Sequence, residues 1–274
     1  MAEQTFSYLD VGAVYGEFIG QARRQAVAAL GLPPGVVVLD LGCGVGTALA
    51  DLANAAGPGG HVIGVDAAVA HLEGAAARDG VALVAADARQ ALPFAPATLD
   101  VIWAADVVMP FVFPQPVAAL LRFRNLLKPG GRIALSWSLL RAMFLPGYER
   151  LEGQITAALA QYYGLDAMQG AGHPERAAGW LRAAGYEAVH TAVYTAHHQV
   201  PLSEPVRRYV ACHLMGYYSP AVEACGAAVG LTPDDRALWA RLSSPESPDY
   251  LLDQPDYHCT GFVLLTSGRT PRAV

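Results

Sequence analysis

A β-branched run, Val36-Val37-Val38, continues through Leu39-Asp40-Leu41 into Gly42-Cys43-Gly44-Val45-Gly46-Thr47, and this strand-to-glycine turn limits the chain to a short menu of folds. Three glycines at alternate positions permit positive φ and let backbone approach a ligand, as at the first crevice of a doubly wound sheet. A helix is expected next: Thr47 can cap it, Leu49, Leu52, Ala53 and Ala56 recur at helical spacing, and Gly57-Pro58 stops it. Charge sets this turn apart. A helix N-terminus attracts a pyrophosphate, but Asp40, two residues before the first glycine, repels a dianion and suits a ligand carrying positive charge.

A second short strand, Gly60-His61-Val62-Ile63-Gly64-Val65-Asp66, ends in an acid 20 positions after Gly46, and such an acid can accept both hydroxyls of a ribose. A third, Val81 to Ala85, leads to Asp87-Ala88, where a carboxylate can accept a hydrogen bond from an adenine amino group. Three acids thus mark three successive strands. S-adenosylmethionine, with an ammonium, a sulfonium, a ribose and an adenine, meets all of these demands.

At these residues the chain resembles the class I S-adenosylmethionine-dependent methyltransferases, in particular the small-molecule branch similar to quinone-biosynthesis methyltransferases. The matching pieces stand in the family's order: Leu39-Asp40-Leu41-Gly42-Cys43-Gly44-Val45-Gly46, Gly64-Val65-Asp66, Ala86-Asp87-Ala88 with Leu92-Pro93-Phe94, Leu99-Asp100-Val101-Ile102, and Leu126-Leu127-Lys128-Pro129-Gly130-Gly131-Arg132. The similarity runs from about Tyr8 to Tyr194. Taken singly, the glycines read as an ordinary tight turn and each acid as an exposed strand end; five pieces in one order argue otherwise. The resemblance implies an α/β fold with a Rossmann-like, doubly wound, mostly parallel seven-stranded sheet and helical cap insertions, with S-adenosyl-L-methionine as cofactor. It assigns the methionine end to Asp40 and the backbone of Gly42, Cys43, Gly44 and Gly46, the ribose to Asp66 with Ala67 beside it, and the adenine to Asp87 and Ala88. Ala104 joins the same set. The segment Tyr8-Leu9-Asp10-Val11-Gly12-Ala13-Val14-Tyr15 is similar to the family's tyrosine-bearing lid, which puts Tyr15 near the cofactor.

A length of 274 residues with 53% hydrophobic and 15% charged side chains is ample for a buried core. The net charge of −6 comes without a long basic run, so an extended phosphate-binding face, and with it nucleic acid as partner, is disfavoured. Met1-Ala2-Glu3-Gln4 opens no signal segment and no apolar stretch reaches membrane-spanning length, so the expectation is a cytoplasmic protein without a membrane partner. Cys43, Cys212, Cys225 and Cys259 form no CxxC pair and suggest neither zinc nor disulfides. Oligomeric state is not written in the sequence.

Strand signals near 36 to 41, 61 to 66, 81 to 85, 99 to 105 and 131 to 137 alternate with helical patterns, which argues for a parallel sheet covered on both faces. The rhythm then breaks. Residues 1–274 read as one methyltransferase domain whose cap elements span about 1–25, 139–173 and 197–255, with a helix over Ala177 to Ala184 and strands from Gly185 to about Tyr194 and over His258 to Thr266. Within 197–255, helical stretches are expected around Val206 to Tyr217, Ala221 to Gly230 and Pro233 to Leu242.

Aromatic and methionine side chains, among them Trp103, Met109, Phe111, Phe113, Trp137, Phe144, Tyr163 and Tyr218, follow strands or fall in the cap, which favours a bulky, mostly apolar or aromatic acceptor. Each alone reads more simply as packing. A general base is needed only for an acceptor proton of high pKa. Asp106, at the end of the fourth strand, ranks first and His197 second, ahead of His198, His213 and His258. The fifth strand ends Leu135-Ser136-Trp137-Ser138, without the acid or amide ligands that metal-dependent relatives place there, so no metal is expected. Small-molecule methyl transfer, possible in specialised metabolism, is the favoured function. The alternative is a methyltransferase-fold protein running another reaction, such as a cyclisation, around a bound cofactor. Asp40 and the Gly-x-Gly-x-Gly spacing disfavour a nicotinamide-dependent oxidoreductase.

Overall fold

The computed structural model describes residues 8–75, 80–138, 142–165 and 169–272. The strands are β1 (Val37–Leu41), β2 (His61–Asp66), β3 (Val81–Ala85), β4 (Leu99–Ala105), β5 (Leu127–Trp137), β6 (Ala142–Met143), β7 (Glu187–Gln199) and β8 (His258–Arg269). The α-helices are α1 (Tyr8–Phe18), α2 (Gly20–Ala29), α3 (Leu49–Ala56), α4 (Val69–Gly74), α5 (Pro116–Leu126), α6 (Glu149–Tyr162), α7 (Ala177–Ala183), α8 (Glu204–Arg208), α9 (Gly216–Cys225) and α10 (Pro233–Ser243). The chain divides into two compact units. One gathers the described parts of Met1–Gly20, Leu140–Ala167 and Thr195–Phe262, the other those of Gln21–Leu139, Met168–Tyr194 and Val263–Val274.

The second unit holds the sheet, in the order β3-β2-β1-β4-β5-β8, with β7 also paired to β8. β1 to β5 run parallel and β8 lies antiparallel to β5, from Arg132↔Arg269 to Trp137↔Leu264. Central strands buried on both faces need near-continuous apolar runs, and β1 and β4 supply them. Their Leu39, Leu41, Leu99, Ile102 and Ala104 form one buried cluster with Leu120 and Phe123 of α5 and Leu181 of α7. The parallel register sets Asp40 beside Gly64 and Trp103, and Asp66 beside Ala85, so the acids of neighbouring strands collect at one end of the sheet.

Several sequence expectations need correction. Thr47 does not cap α3: the Gly46 N–H closes a turn on the Cys43 carbonyl at 2.9 Å, Thr47 falls one residue short of the cap position, and the N-cap is Ala48 without a side-chain bond. Gly57 does stop the helix, at φ 66°. β5 begins at Leu127 rather than 131 because its ladder with β4 resumes across a bulge between Leu99 and Val101. β7 runs on to Gln199 rather than ending near Tyr194, which places His197 and His198 inside a strand paired to β8. The sheet has eight strands rather than seven, the eighth being the two-residue β6, paired to β8 through Ala142↔Gly261 and Met143↔Thr260 in the first unit. Residues 139–141 and 166–168 of the expected cap segment 139–173 lie outside the described residues, as does Met1-Ala2-Glu3-Gln4.

In the first unit, a seven-residue π-helical segment, Tyr209–Met215, joins α8 to α9, and α9 runs through Pro220 where a break was expected. α10 starts on a capping box between Thr232 and Asp235, and Arg150 of α6 forks onto the same Asp235 carboxylate, whose pKa these bonds hold well below the usual range. Glu152 of α6 accepts the N–H groups of Phe144 at 2.9 Å and Leu145 at 3.3 Å, and Tyr257 donates to the Phe144 carbonyl at 3.2 Å. Among the described residues no helix is long and apolar enough to cross a membrane.

Candidate functional site

The glycine turn hangs from the end of β2. The N–H groups of Gly42 and Cys43 both donate to the Val65 carbonyl, at 2.7 and 2.9 Å, and that of Gly44 donates to Asp66 Oδ2 at 3.0 Å. Gly42 stands at φ 70°, and a Cβ there would meet Val107 Cγ2 at 2.4 Å, so the loop after β4 closes against the turn. Asp66, at the end of β2, also accepts the Ala68 N–H at 2.9 Å and lies 3.1 Å from His71 Nδ1. Its carboxylate is therefore aimed across the loop by backbone donors, with Ala67 between Asp66 and Ala68. His71, five residues on, escaped the sequence reading because nothing marks a helix-face histidine as a carboxylate partner.

Asp40 lies under this turn, 2% exposed, and its Oδ2 has no hydrogen-bond partner among the described residues. Burial pushes its carboxyl up to about 7; the Arg23 guanidinium opposes that shift and the Asp66 charge adds to it. Arg23 is itself committed, its Nε donating to Asp51 Oδ2 at 2.8 Å. A buried, incompletely paired carboxylate of this kind suits a cation. Cys43 is no nucleophile: burial and the nearby Asp40 and Asp66 push its thiol up to about 12.

On the neighbouring strand, the Ala86 N–H donates to the Asp66 carbonyl at 3.0 Å and brings the Asp87 turn alongside. Arg89 forks onto both Asp87 oxygens, with Nε at 3.0 and 3.1 Å and a terminal nitrogen at 2.8 Å, and holds the Asp87 carboxyl below the usual range. Arg122 of α5 donates to the carbonyls of Ala88, Arg89 and Gln90 and fixes the turn. The sequence reading missed both arginines.

At the ends of β4 and β5 a pocket opens, bordered by Ala104, Asp106, Met109, Trp137, Pro174 and Leu264 among others. Asp106 occupies the left-handed region at φ 54°, a conformation that costs on the order of 1 kcal/mol and that short polar side chains offset by local bonds. Its offset is Ser138, whose N–H donates to Oδ1 at 2.7 Å and whose hydroxyl donates to Oδ2 at 2.6 Å.

The remaining predicted residues belong to the first unit. Tyr15 packs its ring against Tyr209 at 5.6 Å. His197 Nδ1 lies 2.9 Å from the Thr260 hydroxyl, with the His258 ring 5.4 Å away, and His198 Nε2 lies 2.8 Å from the Phe18 carbonyl. The His213 side chain lies outside the described residues. Of the aromatic and methionine side chains, Trp103, Met109, Phe113, Trp137, Phe144 and Tyr218 are buried, whereas Phe111 and Tyr163 are exposed.

The glycine turn and its acids fall within residues 38–131, which match a family model described as a methyltransferase domain. The chain is 36% identical over 125 residues to the nocamycin O-methyltransferase of Saccharothrix syringae, an alignment covering 44% of each chain. It is 37% identical over 115 residues to the demethylmenaquinone methyltransferase of Beutenbergia cavernae, covering 42% of this chain and 45% of that one. The matched region thus spans less than half the length of these relatives. Among solved structures, YcgJ of Bacillus subtilis is similar with a TM-score of 0.51 at 16% identity, over 93% of this chain and 100% of that one. A phosphoethanolamine N-methyltransferase of Haemonchus contortus also gives 0.51 at 16%, over 97% and 58%. The fold is common to such neighbours, and over the glycine turn and both downstream acids, residues 38–131, the chain is similar to S-adenosylmethionine-dependent methyltransferases.

Proposed function

We propose that the protein transfers a methyl group from S-adenosylmethionine to a small molecule with a mostly apolar or aromatic body. The observation that carries this reading is Asp40, a buried carboxylate with one oxygen unpartnered among the described residues, beside a glycine turn whose N–H groups are drawn onto β2 and Asp66. The ligand's ammonium supplies the missing charge. Asp66 is proposed to take the ribose hydroxyls on lone pairs that Gly44, Ala68 and His71 leave free, and Asp87 with Ala88 to face the adenine. A role in specialised metabolism is supported by the similarity to an enzyme named for O-methylation of nocamycin.

The bound cofactor supplies an electrophilic methyl group that its sulfonium charge has already activated. The chain's own task is then alignment and water exclusion, worth as much as roughly 7 to 11 kcal/mol when alignment is good. Val107, Val108, Met109 and Leu264 give the pocket an apolar wall for that purpose. Asp106 is the proposed proton acceptor. Ser138 donates to each oxygen and fixes the carboxylate's direction.

Incubation with S-adenosylmethionine and a panel of hydroxylated aromatics, followed by assay of S-adenosylhomocysteine, tests the proposal. Asn tolerates φ 54° as Asp does, so Asp106→Asn is expected to keep the fold and the cofactor affinity while lowering kcat about 10²- to 10⁴-fold. An unchanged kcat would remove Asp106 from the chemistry. Failure to bind S-adenosylmethionine would overturn the function, and tight binding without turnover on any acceptor would favour a non-methylating reaction.

A further inference from the structure

Four tryptophans punctuate the chain, and their indole N–H groups divide sharply. Trp180 donates to the Ala171 carbonyl at 3.0 Å and Trp239 to the Ser219 hydroxyl at 3.2 Å, whereas Trp103 and Trp137 have no indole partner among the described residues. A buried indole N–H ordinarily finds an acceptor, so each exception asks for an explanation. Trp103 is fully buried and is not among the residues lining the pocket beside Asp106. Trp137 differs. It is 5% exposed, ends β5, and borders the pocket shared with Asp106 and Ala104.

The surroundings of Trp137 hold the ring without satisfying it. The His173 imidazole meets the indole edge-on, with centroids 5.9 Å apart at 80°, and His173 is itself occupied, its Nδ1 accepting the Glu175 N–H at 3.2 Å. The adjacent Ser138 is committed to Asp106. The rest of the pocket lining includes the apolar Met109, Pro174, Ala177 and Leu264 together with the hydroxyls of Ser136 and Thr266, the latter paired with Thr191, and none of these accepts from the indole. The partner that the lining does not provide is one an occupant can bring.

We propose that Trp137 is a specificity-determining residue whose indole N–H donates to a neutral oxygen of the methyl acceptor, selecting flat, apolar compounds that carry a carbonyl or ether oxygen over hydrocarbons of the same shape. The assignment rests on the methyl-transfer reading for the identity of the pocket. Ring packing on the apolar wall supplies most of the contact, and the indole bond fixes which edge of the molecule faces β5.

Two probes of one shape test it: 1-tetralone, a flat aromatic ketone, and tetralin, the same frame without the oxygen. In ¹H–¹⁵N spectra of the labelled full chain, 1-tetralone is expected to move the Trp137 indole signal downfield while those of Trp180 and Trp239 stay, and tetralin is expected to leave all of them. Trp137→Phe is expected to bind 1-tetralone about fivefold to tenfold more weakly and tetralin within about twofold, the loss of one neutral hydrogen bond. Should that variant not fold, sequential assignment of the unmodified protein still identifies the signal. An unmoved Trp137 signal, equal losses for both probes, or binding of neither would overturn the proposal. Calorimetry with S-adenosylmethionine on the same samples separates the two readings. Cofactor binding with a silent Trp137 sinks only this assignment, and a responsive Trp137 without cofactor binding sinks only methyl transfer.

Discussion

Asp40 bears a desolvation penalty that a bound cation would remove, and the sign of the effect is open to measurement. Its carboxyl is raised from 3.8 to about 7 in the folded chain. Between these values the folded state holds a proton that the unfolded state has lost, so the group's contribution to stability falls as pH rises through this window and levels off above about pH 7. Asp40→Asn is therefore expected to raise the unfolding free energy at pH 8 by on the order of 1–4 kcal/mol, and the Tm with it, to leave both unchanged near pH 4, and to weaken S-adenosylmethionine binding. An Asn variant that is less stable at pH 8 would refute the buried-charge account. Asp66 and Asp87 differ in a similar readable way. Asp66 has its direction set by backbone N–H groups, while Asp87 already holds the Arg89 fork. Asp66→Ala is expected to cost a hundredfold or more in cofactor affinity, two charge-assisted bonds at about 1.5 to 3 kcal/mol each, and Asp87→Ala about tenfold. Calorimetry giving equal, small losses would withdraw the ribose assignment.

The strand-to-glycine turn is the element on which the site depends, and its tolerance of a side chain separates two causes of strain. At Gly42 a methyl group meets both a positive φ and Val107 Cγ2 at 2.4 Å, whereas at Gly35, φ 84°, it meets nothing within 4 Å. Gly35→Ala is expected to show the backbone penalty alone, on the order of 1 kcal/mol, and Gly42→Ala about 1–3 kcal/mol more together with weakened cofactor binding. Equal destabilisation by the two would show that Val107 does not close on the turn. The parallel strands were legible at this scale because burial on both faces writes near-continuous apolar runs into Val36–Leu41 and Leu99–Ala105, each broken by one aspartate. The missing Thr47 cap was not, since a capping residue and a turn residue look alike until the Gly46 bond to Cys43 sets the start of α3. The length of β7 was likewise decided by its partner, because Thr195–Gln199 needs β8 beside it to count as strand.

Neither compact unit of the whole molecule is a single stretch of chain, and β8 supplies residues to both. Its Cys259, Val263 and Leu265 are buried, and its Leu264–Arg269 half pairs with β5 while Thr260 and Gly261 pair with β6. A chain ended at Tyr257 is therefore expected to lose its cooperative thermal transition, read by circular dichroism, although residues 38–131 remain intact. A truncated chain that melts cooperatively at the original temperature would show that the sheet stands without its antiparallel strand.

The chain by itself determined the parallel strands, the glycine turn and the places of Asp40, Asp66, Asp87 and Asp106 near strand ends, because turn geometry and two-faced burial are properties of a few consecutive residues. Only the tertiary structure decided how those acids are held. Arg23 reaches Asp51 across 28 residues, Gly44 reaches Asp66 across 22, and Ser138 reaches Asp106 across 32. The desolvation of Asp40 and the unanswered N–H of Trp137 are likewise set by what neighbouring strands and helices place around them. Hydrogen-bond partners and local dielectric are assembled from distant segments, so no reading along the sequence contains them.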